Sequence, residues 1–264
     1  MCRAALALEG RTWRCGAGHA YDVAREGYVN LLVTHQRRAR EPGDSAEMLR
    51  DRRAFLDAGW YRPLRDTVAA AVRDATGGAP VVVDAGCGEG YYTREWPAWG
   101  GEVWGVDIAK AGVRMAAKRG GPGAHYAVGS VYDLPVVDAA ADAVVSVFAP
   151  VHSDEFERVL RPGGLLVTAT PGPDHLDGLK RLLFDEPERH PERGPLDGAA
   201  TRFAEDGLTR VRYEVTLDSP AAVGHLLGMV PYAWYVDSAT RVAVSARPSL
   251  TTTVDFLVAR YRLG

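Results

Sequence analysis

The sequence predicts an α/β protein with a doubly wound, mostly parallel sheet, preceded by a small N-terminal module. Short apolar runs alternate with amphipathic stretches from Val81 onward, which is typical of such a sheet. A glycine-rich string follows the first of these runs, and residues 1–35 lack helical periodicity. The length of 264 residues suits one substantial domain with a small appendage.

The N-terminal third divides into two parts. Residues 1–36 read as a module of loops and short strands, and residues 37–78 as a charged linker followed by helices. Asp44, with Glu47 three residues later, predicts the start of the first helix, and Gly59 its end. A second helix is expected from Pro63 to the glycines at 77–78.

Residues 79–264 are predicted to form the main domain. We expect five buried strands, at residues 81–83, 103–106, 126–128, 143–148 and 165–170. Two later strands, at 209–217 and 251–261, flank helical segments. The polar, proline-rich stretch 171–195 is too long for a simple connection and suggests a functional insertion.

Composition limits the class of protein. Three cysteines exclude a disulfide scaffold and favour a reducing compartment, and no apolar run approaches the roughly 18 residues of a membrane helix, so we expect a cytoplasmic protein without a membrane partner. The net charge of −3 hides an asymmetry, because residues 1–65 carry +4 and the remainder −7. A basic arm favours an RNA partner, although 28 Arg against 3 Lys also fits a general compositional bias.

The string from Asp84 to Gly90, Asp-Ala-Gly-Cys-Gly-Glu-Gly, directly follows the first main-domain strand and is expected to open a helix. Its glycines permit a sharp turn and a close approach of a ligand to the main chain. Tyr91 occupies the position where a dinucleotide-binding fingerprint requires glycine, and this weakens the case for a nicotinamide cofactor. The order is similar to that of class I S-adenosylmethionine-dependent methyltransferases, and Asp107, 23 residues after Asp84, could accept hydrogen bonds from ribose hydroxyls. A tight turn without a ligand is the alternative.

Cys15-x-x-x-His19 suggests half of a zinc site, and Cys2, 13 residues earlier, could belong to the other half. A four-ligand site would need a further ligand three residues before Cys2, which this sequence does not contain. Three explanations stay open: zinc is bound by three ligands plus another group, no zinc is bound, or the chain is recorded from an internal start codon. We favour the last. A buried thiol beside a turn histidine is the structural alternative.

Longer strings are similar to the RlmA-type 23S rRNA guanine-N1 methyltransferases. They are Cys15-x-x-x-His19 and residues 21–32, 44–48, 52–59, 84–92, 149–150 and 168–176. The resemblance implies a class I methyltransferase domain with a seven-stranded, mostly parallel sheet, an N-terminal zinc-ribbon-like module, and a homodimer that clasps a 23S rRNA hairpin. It also implies the subgroup that includes tylosin-resistance enzymes.

Three sets of candidate site residues follow from the motifs and the resemblance. The S-adenosylmethionine site is assigned to Tyr61, Asp84, Gly86, Gly88, Glu89, Gly90, Tyr91, Asp107, Ser130 and His175. Zinc is assigned to Cys2, Cys15 and His19, and RNA phosphate contacts to Arg37, Arg38, Arg40 and Arg53.

The chemistry at guanine N1 requires an unpaired or splayed-out base, which Phe148 or Trp234 could stack. The N1 proton could leave to water, to Asp174 or to His175. Two other functions stay open: a methyltransferase acting on a small metabolite, and a non-enzymatic protein that binds zinc and RNA.

Overall fold

The computed structural model describes residues 4–32 and 43–264, which form two sheets. The smaller sheet is antiparallel and contains β1 (Leu6–Glu9), β2 (Thr12–Cys15) and β3 (Ala20–Asp22) in that order. Gly10, at φ 64°, makes the turn between β1 and β2, where a side chain would be strained. Cys15 ends β2 and His19 directly precedes β3, so the two residues flank the turn between these strands.

The larger sheet has eight strands in the order β10-β11-β9-β8-β5-β6-β7-β4. Its strands are β4 (Tyr28–Asn30), β5 (Val81–Ala85), β6 (Glu102–Asp107), β7 (Ala124–Val128), β8 (Ala141–Val147), β9 (Leu160–Pro171), β10 (Phe203–Leu217) and β11 (Leu250–Leu263). The five strands expected between residues 81 and 170, and the two later ones, are all present. Strands β4 to β9 pair in parallel, whereas β11 pairs antiparallel with both β9 and β10.

The eighth strand was not predicted. Tyr28–Asn30 pairs in parallel with β7, with Tyr28 opposite Tyr126, and the Leu31 N–H donates to the Val128 carbonyl at 2.9 Å. The apolar side chains of Tyr28 and Val29 are buried there. The N-terminal segment therefore supplies the edge of the main sheet as well as the small sheet.

The helices cover both faces of the larger sheet. They are α1 (Ala46–Asp57), α2 (Arg62–Thr76), α3 (Lys110–Ala117), α4 (Ser153–Val159), α5 (Asp177–Leu183), α6 (Pro220–Met229) and α7 (Ser238–Ser245), with 3-10 segments at Thr93–Trp99 and Pro231–Tyr235. Helix α5 lies within the stretch 171–195. No helix in the described ranges has the length and apolar character needed to span a membrane.

Two local predictions were wrong. The cap of α1 is Ser45, whose hydroxyl accepts the Met48 N–H at 3.1 Å, because the carboxylate of Asp44 pairs with Arg52 instead. The glycine string does not open an α-helix, since only the 3-10 segment Thr93–Trp99 follows it.

The core lies on both faces of the sheet and leaves the carboxyl ends of the parallel strands open. Helix α2 buries Leu64, Val68 and Val72 against one face. On the other face, Phe156 of α4 packs in the cluster that includes Val144 of β8. The loops that follow β5 to β9 meet at one edge, where open α/β sheets usually bind their ligands.

Candidate functional site

A cavity of about 490 Å³ opens at the carboxyl ends of β5 to β9, within the size range of small-molecule sites. Eight of the ten residues assigned to the cofactor line it: Tyr61, Gly86, Gly88, Glu89, Tyr91, Asp107, Ser130 and His175. Asp84 and Gly90 lie outside its wall. The structure thus brings together residues from five separate chain segments.

The glycine loop is shaped by close packing. Gly86 has φ 91°, and a Cβ there would overlap the side chain of Ala149. At Gly90, with φ 83°, a Cβ would lie 2.8 Å from the Cβ of Ala116. Gly88 differs, since a Cβ there would meet only the guanidinium of Arg52, at 3.8 Å. Gly86 and Gly90 therefore let the loop pack tightly, and Gly88 leaves main chain open to the cavity.

Asp107 joins this loop to the end of β6. Its carboxylate accepts the Gly88 N–H at 2.9 Å and the Ala109 N–H at 2.7 Å. Burial raises the pKa of Asp107, and these two backbone hydrogen bonds oppose the rise. A carboxylate has about four lone-pair sites, so it can accept further hydrogen bonds from a ligand.

Asp84 is buried and acts behind the loop. Its carboxylate accepts the Thr93 hydroxyl at 2.5 Å, and burial raises the pKa of Asp84 to about 7. Because Asp84 lies outside the cavity wall, it holds the segment that follows the loop instead of touching a ligand.

Glu89 lines the cavity, and its carboxylate is buried. Burial raises its pKa, one oxygen lies 3.5 Å from Arg119, and the other, Oε1, is buried with no hydrogen-bond partner among the described residues. Its neighbour Tyr91 packs its ring against the guanidinium groups of Arg65 and Arg94. These charged contacts brace the outer side of the loop.

Tyr61 and His175 meet inside the cavity although they are 114 residues apart. The Asp255 N–H points to His175 Nδ1 at 3.4 Å, and His175 Nε2 lies 3.3 Å from the Tyr61 hydroxyl. Nδ1 can only accept from a backbone N–H, so the ring proton is on Nε2 and is donated to Tyr61. Tyr61 consequently has its own hydroxyl proton left for a ligand.

This arrangement makes His175 a poor proton acceptor. Burial lowers its pKa to about 3, and both ring nitrogens are already engaged. Asp174, the other candidate, lies outside the cavity wall, and its carboxylate contacts Arg189 at 2.7 Å, Arg212 at 3.2 Å and Arg210 at 3.5 Å. Neither side chain presents a free base to the cavity.

Phe148 is the aromatic residue best placed to receive a base. It lines the cavity in the left-handed region at φ 55°, is 43% exposed, and packs 5.4 Å from the ring of Phe256. Trp234 lies outside the cavity wall, and its ring is covered by the guanidinium of Arg241 at 4.4 Å. Tyr132, which is 59% exposed and lines the same cavity, was not singled out from the sequence.

The second candidate site is the turn after β2. Cys15 Sγ lies 3.3 Å from His19 Nδ1, close to the separation of about 3.5 Å that two ligands take around tetrahedral zinc. Cys2 is outside the described residues, and the residues within them contain no group of three metal-ligating side chains. A thiolate and an imidazole at this distance fit one half of a zinc site.

The predicted RNA contacts are only partly described. Arg37, Arg38 and Arg40 lie outside the described residues. Arg53 lies in α1, where its guanidinium is 3.7 Å from Asp57, and it is not part of the cavity wall.

The donor set of the cavity fits S-adenosylmethionine better than a dinucleotide. Asp107 suits ribose hydroxyls, Gly88 exposes main chain, and the remaining walls are mostly apolar. A pyrophosphate would favour the N-terminus of an α-helix directly after the glycines, and a 3-10 segment stands there.

Comparison with known proteins agrees with this site. The family profile described as "Methyltransferase domain" matches residues 83–168, and the profile described as "RlmA, N-terminal", a zinc ribbon, matches residues 1–40. In solved structures, the fold is similar to a putative type II methyltransferase from Anaeromyxobacter dehalogenans, with a TM-score of 0.53 and 21% identity over 76% of this chain and 95% of that one. That likeness shows the class I methyltransferase fold.

Two curated relatives match almost end to end. The 23S rRNA (guanine(748)-N(1))-methyltransferase of Streptomyces fradiae is 39% identical over 98% of this chain and 94% of its own length. A putative 23S rRNA (guanine-N(1)-)-methyltransferase of Micromonospora griseorubida is 38% identical over 96% and 90%. With the methyltransferase cavity and the N-terminal zinc-ribbon match, these similarities show that the chain belongs to the RlmA-type 23S rRNA (guanine-N1)-methyltransferase family.

Proposed function

We propose that this protein transfers a methyl group from S-adenosylmethionine to N1 of a guanosine in a hairpin loop of 23S rRNA. The observation that carries the proposal is that the glycine loop, Asp107, Tyr61 and Phe148 line one cavity. Relatives that match the chain almost end to end are named for this activity. The cofactor supplies an electrophilic methyl group on sulfur.

The chain's own residues bind and orient the reactants. Asp107 would hold the adenosyl part beside the open Cα of Gly88, and Tyr61, whose hydroxyl accepts from His175, would donate its proton to the ligand. Ser130 lines the wall at the end of β7, where adenine could rest. Such fixed contacts favour the reaction mainly by alignment of the nucleophile with the methyl group.

The exposed ring of Phe148 would receive the guanine once it has left its stack. Guanine N1 takes part in Watson–Crick pairing, so the base must be unpaired before N1 can face the methyl group. Methyl transfer would form the N1–CH₃ bond and break the C–S bond of the cofactor, with S-adenosylhomocysteine as the second product. The N1 proton passes to water in this proposal, because His175 and Asp174 are both engaged elsewhere.

RNA dependence separates this function from its alternatives. The protein is incubated with S-adenosylmethionine labelled in the methyl group and, in separate reactions, with protein-free 23S rRNA from a strain that lacks the modification or with the small-molecule fraction of a cell extract. We expect label in the rRNA and none in a small-molecule fraction of a cell extract. Transfer only to the small-molecule fraction would favour a metabolite methyltransferase, and no transfer to either would favour a non-enzymatic RNA-binding protein.

We further propose that Arg37, Arg38 and Arg40 contact RNA phosphates. The net positive charge of residues 1–65 supports this proposal. Each phosphate contact contributes about −0.9 to the slope of log affinity against log salt in duplex nucleic acid. Replacing the three arginines with alanine should weaken hairpin binding and reduce this slope by about 2 to 3. Unchanged affinity and slope would exclude the role.

We also propose how the protein assembles and which role it has in the cell. The family resemblance favours a homodimer that works in the cytoplasm, with residues 1–36 as a zinc-binding module that recognises RNA and residues 79–264 as the catalytic domain. The family that the sequence resembles includes tylosin-resistance enzymes, so protection against tylosin-type macrolides is the proposed role. Light scattering of the purified protein tests the dimer, and drug susceptibility of a deletion strain tests the role.

A further inference from the structure

Arg52 is a cation in the cavity wall that the mechanism above leaves unused. It lies in α1 on the turn that faces the glycine loop, and its side chain is 26% exposed. A Cβ added to Gly88 would be 3.8 Å from Arg52 Nη1, so the guanidinium lies directly over the main chain that is open to the cavity. In the described part of the chain, Arg52 is the only Arg or Lys in this wall.

The guanidinium of Arg52 has donors to spare. Asp44 is the one acceptor that it contacts among the described residues, and it does so through Nη1. A guanidinium carries five N–H donors, and a partly buried cation with most of them unused favours an anionic partner. The contact with Asp44 fixes the side chain at the mouth of the cavity.

Neighbouring arginines lack this capacity. Arg119 makes two hydrogen bonds to Asp57, at 2.9 and 3.1 Å, and also contacts Glu89. Arg94 contacts Asp57 and Glu95 and covers the ring of Tyr91. Both are committed to bracing the loop from outside the cavity wall.

We propose that Arg52 binds the carboxylate of the methionine part of S-adenosylmethionine. The inference rests on the proposed function, because it assigns a binding residue to one end of the same cofactor. Ribose hydroxyls suit Asp107, whose carboxylate accepts the Gly88 N–H, while the guanidinium lies over the same glycine. The adenosyl and amino-acid ends of the ligand would therefore be bound by opposite charges that both lie beside Gly88.

A pair of ligands that differ only in the carboxylate tests this role. Calorimetric Kd values are measured for S-adenosylmethionine and for decarboxylated S-adenosylmethionine, which keeps the amino group and the sulfonium. A charge-assisted contact is worth about 1.5–3 kcal/mol, so Arg52→Gln should weaken S-adenosylmethionine binding about 10- to 100-fold and leave the decarboxylated ligand within about twofold. Arg52→Lys, which keeps the charge, should recover part of the loss.

Arg50→Gln is the matched control, since Arg50 is exposed on the same helix and lies outside the cavity wall. It should change neither Kd. Equal weakening of both ligands by Arg52→Gln, or none, would overturn the assignment, as would a loss of RNA affinity alone. If Arg52→Gln does not fold, the assignment is tested by the Kd values of Arg52→Lys for the two ligands and by the preference of the wild type for the carboxylated ligand. A wild-type protein that binds neither ligand would instead refute the proposed function.

Discussion

At the residue scale, the site depends on hydrogen bonds whose direction is fixed by buried groups. The Asp255 N–H holds the tautomer of His175, and His175 in turn donates to Tyr61. The family resemblance identified Tyr61 and His175 as separate candidates, but the order of donation between them depends on Asp255, 80 residues beyond His175. No local pattern could reveal that order.

Tyr61→Phe removes the hydroxyl proton offered to the ligand and also leaves the buried His175 Nε2–H without its acceptor. The ring packs edge-on against Phe55 and Phe256, at 5.1 and 4.8 Å, and a phenylalanine keeps these contacts. We expect S-adenosylmethionine binding to weaken about 5- to 10-fold, the effect of one neutral hydrogen bond, while Tm changes by only a few degrees. Calorimetry and thermal unfolding measure the two effects, and a Kd equal to that of the wild type would show that the hydroxyl proton is not used.

Asp84 should make stability depend on pH. Its folded-state pKa of about 7 is above the unfolded value of 3.8, so the folded state binds the proton more tightly. Its contribution to stability is therefore present below about pH 4 and is lost as pH rises towards 7. Asp84→Asn should leave Tm unchanged near pH 4 and raise it by a few degrees at pH 8. A difference in Tm between variant and wild type that does not vary with pH would contradict the burial argument.

At the element scale, β11 holds the loop that follows β9. The Gly172 N–H donates to the Asp255 carbonyl at 2.8 Å, and the Asp174 N–H donates to the Asp255 carboxylate at 3.0 Å. Arg210 of β10 anchors that carboxylate with hydrogen bonds of 2.8 and 2.7 Å. These contacts make the beginning of the predicted insertion a fixed wall of the cavity.

Gly172→Ala should break this arrangement, because the added Cβ would lie 2.6 Å from the Asp255 carboxyl group. We expect a loss of about 1–3 kcal/mol in the free energy of unfolding and a lower Tm. Gly121→Ala is the control, since a Cβ there meets nothing within 4 Å. If both variants unfold at the wild-type temperature, the close approach of the two segments is not rigid.

The turn after β2 gives a prediction for the metal. Purified protein should contain zinc, and Cys15→Ser or His19→Ala should each reduce its content sharply, because each removes a ligand from a site held at 3.3 Å between sulfur and nitrogen. Elemental analysis by mass spectrometry measures the content. A Cys87→Ser variant is the control, since Cys87 is buried in the glycine loop. Zinc retained after loss of Cys15 would place the metal elsewhere.

At the scale of the whole molecule, periodicity predicted the sheet well because its parallel strands are buried apolar runs. The same reasoning missed β4, since three residues show no periodicity and Tyr28 and Val29 are buried only by pairing beside β7. It also predicted a helix directly after the glycines, where a 3-10 segment stands instead. Arg52 was also missed, because its place over Gly88 depends on how α1 packs against the loop.

The position of the transferred methyl group distinguishes methylation at guanine N1 from every other modification of the rRNA. Protein-free 23S rRNA lacking the modification is incubated with labelled S-adenosylmethionine and the protein, then digested to nucleosides and analysed by mass spectrometry. If the enzyme methylates guanine N1, the label appears in 1-methylguanosine. Label confined to another atom of guanine, to another base or to the ribose would contradict it.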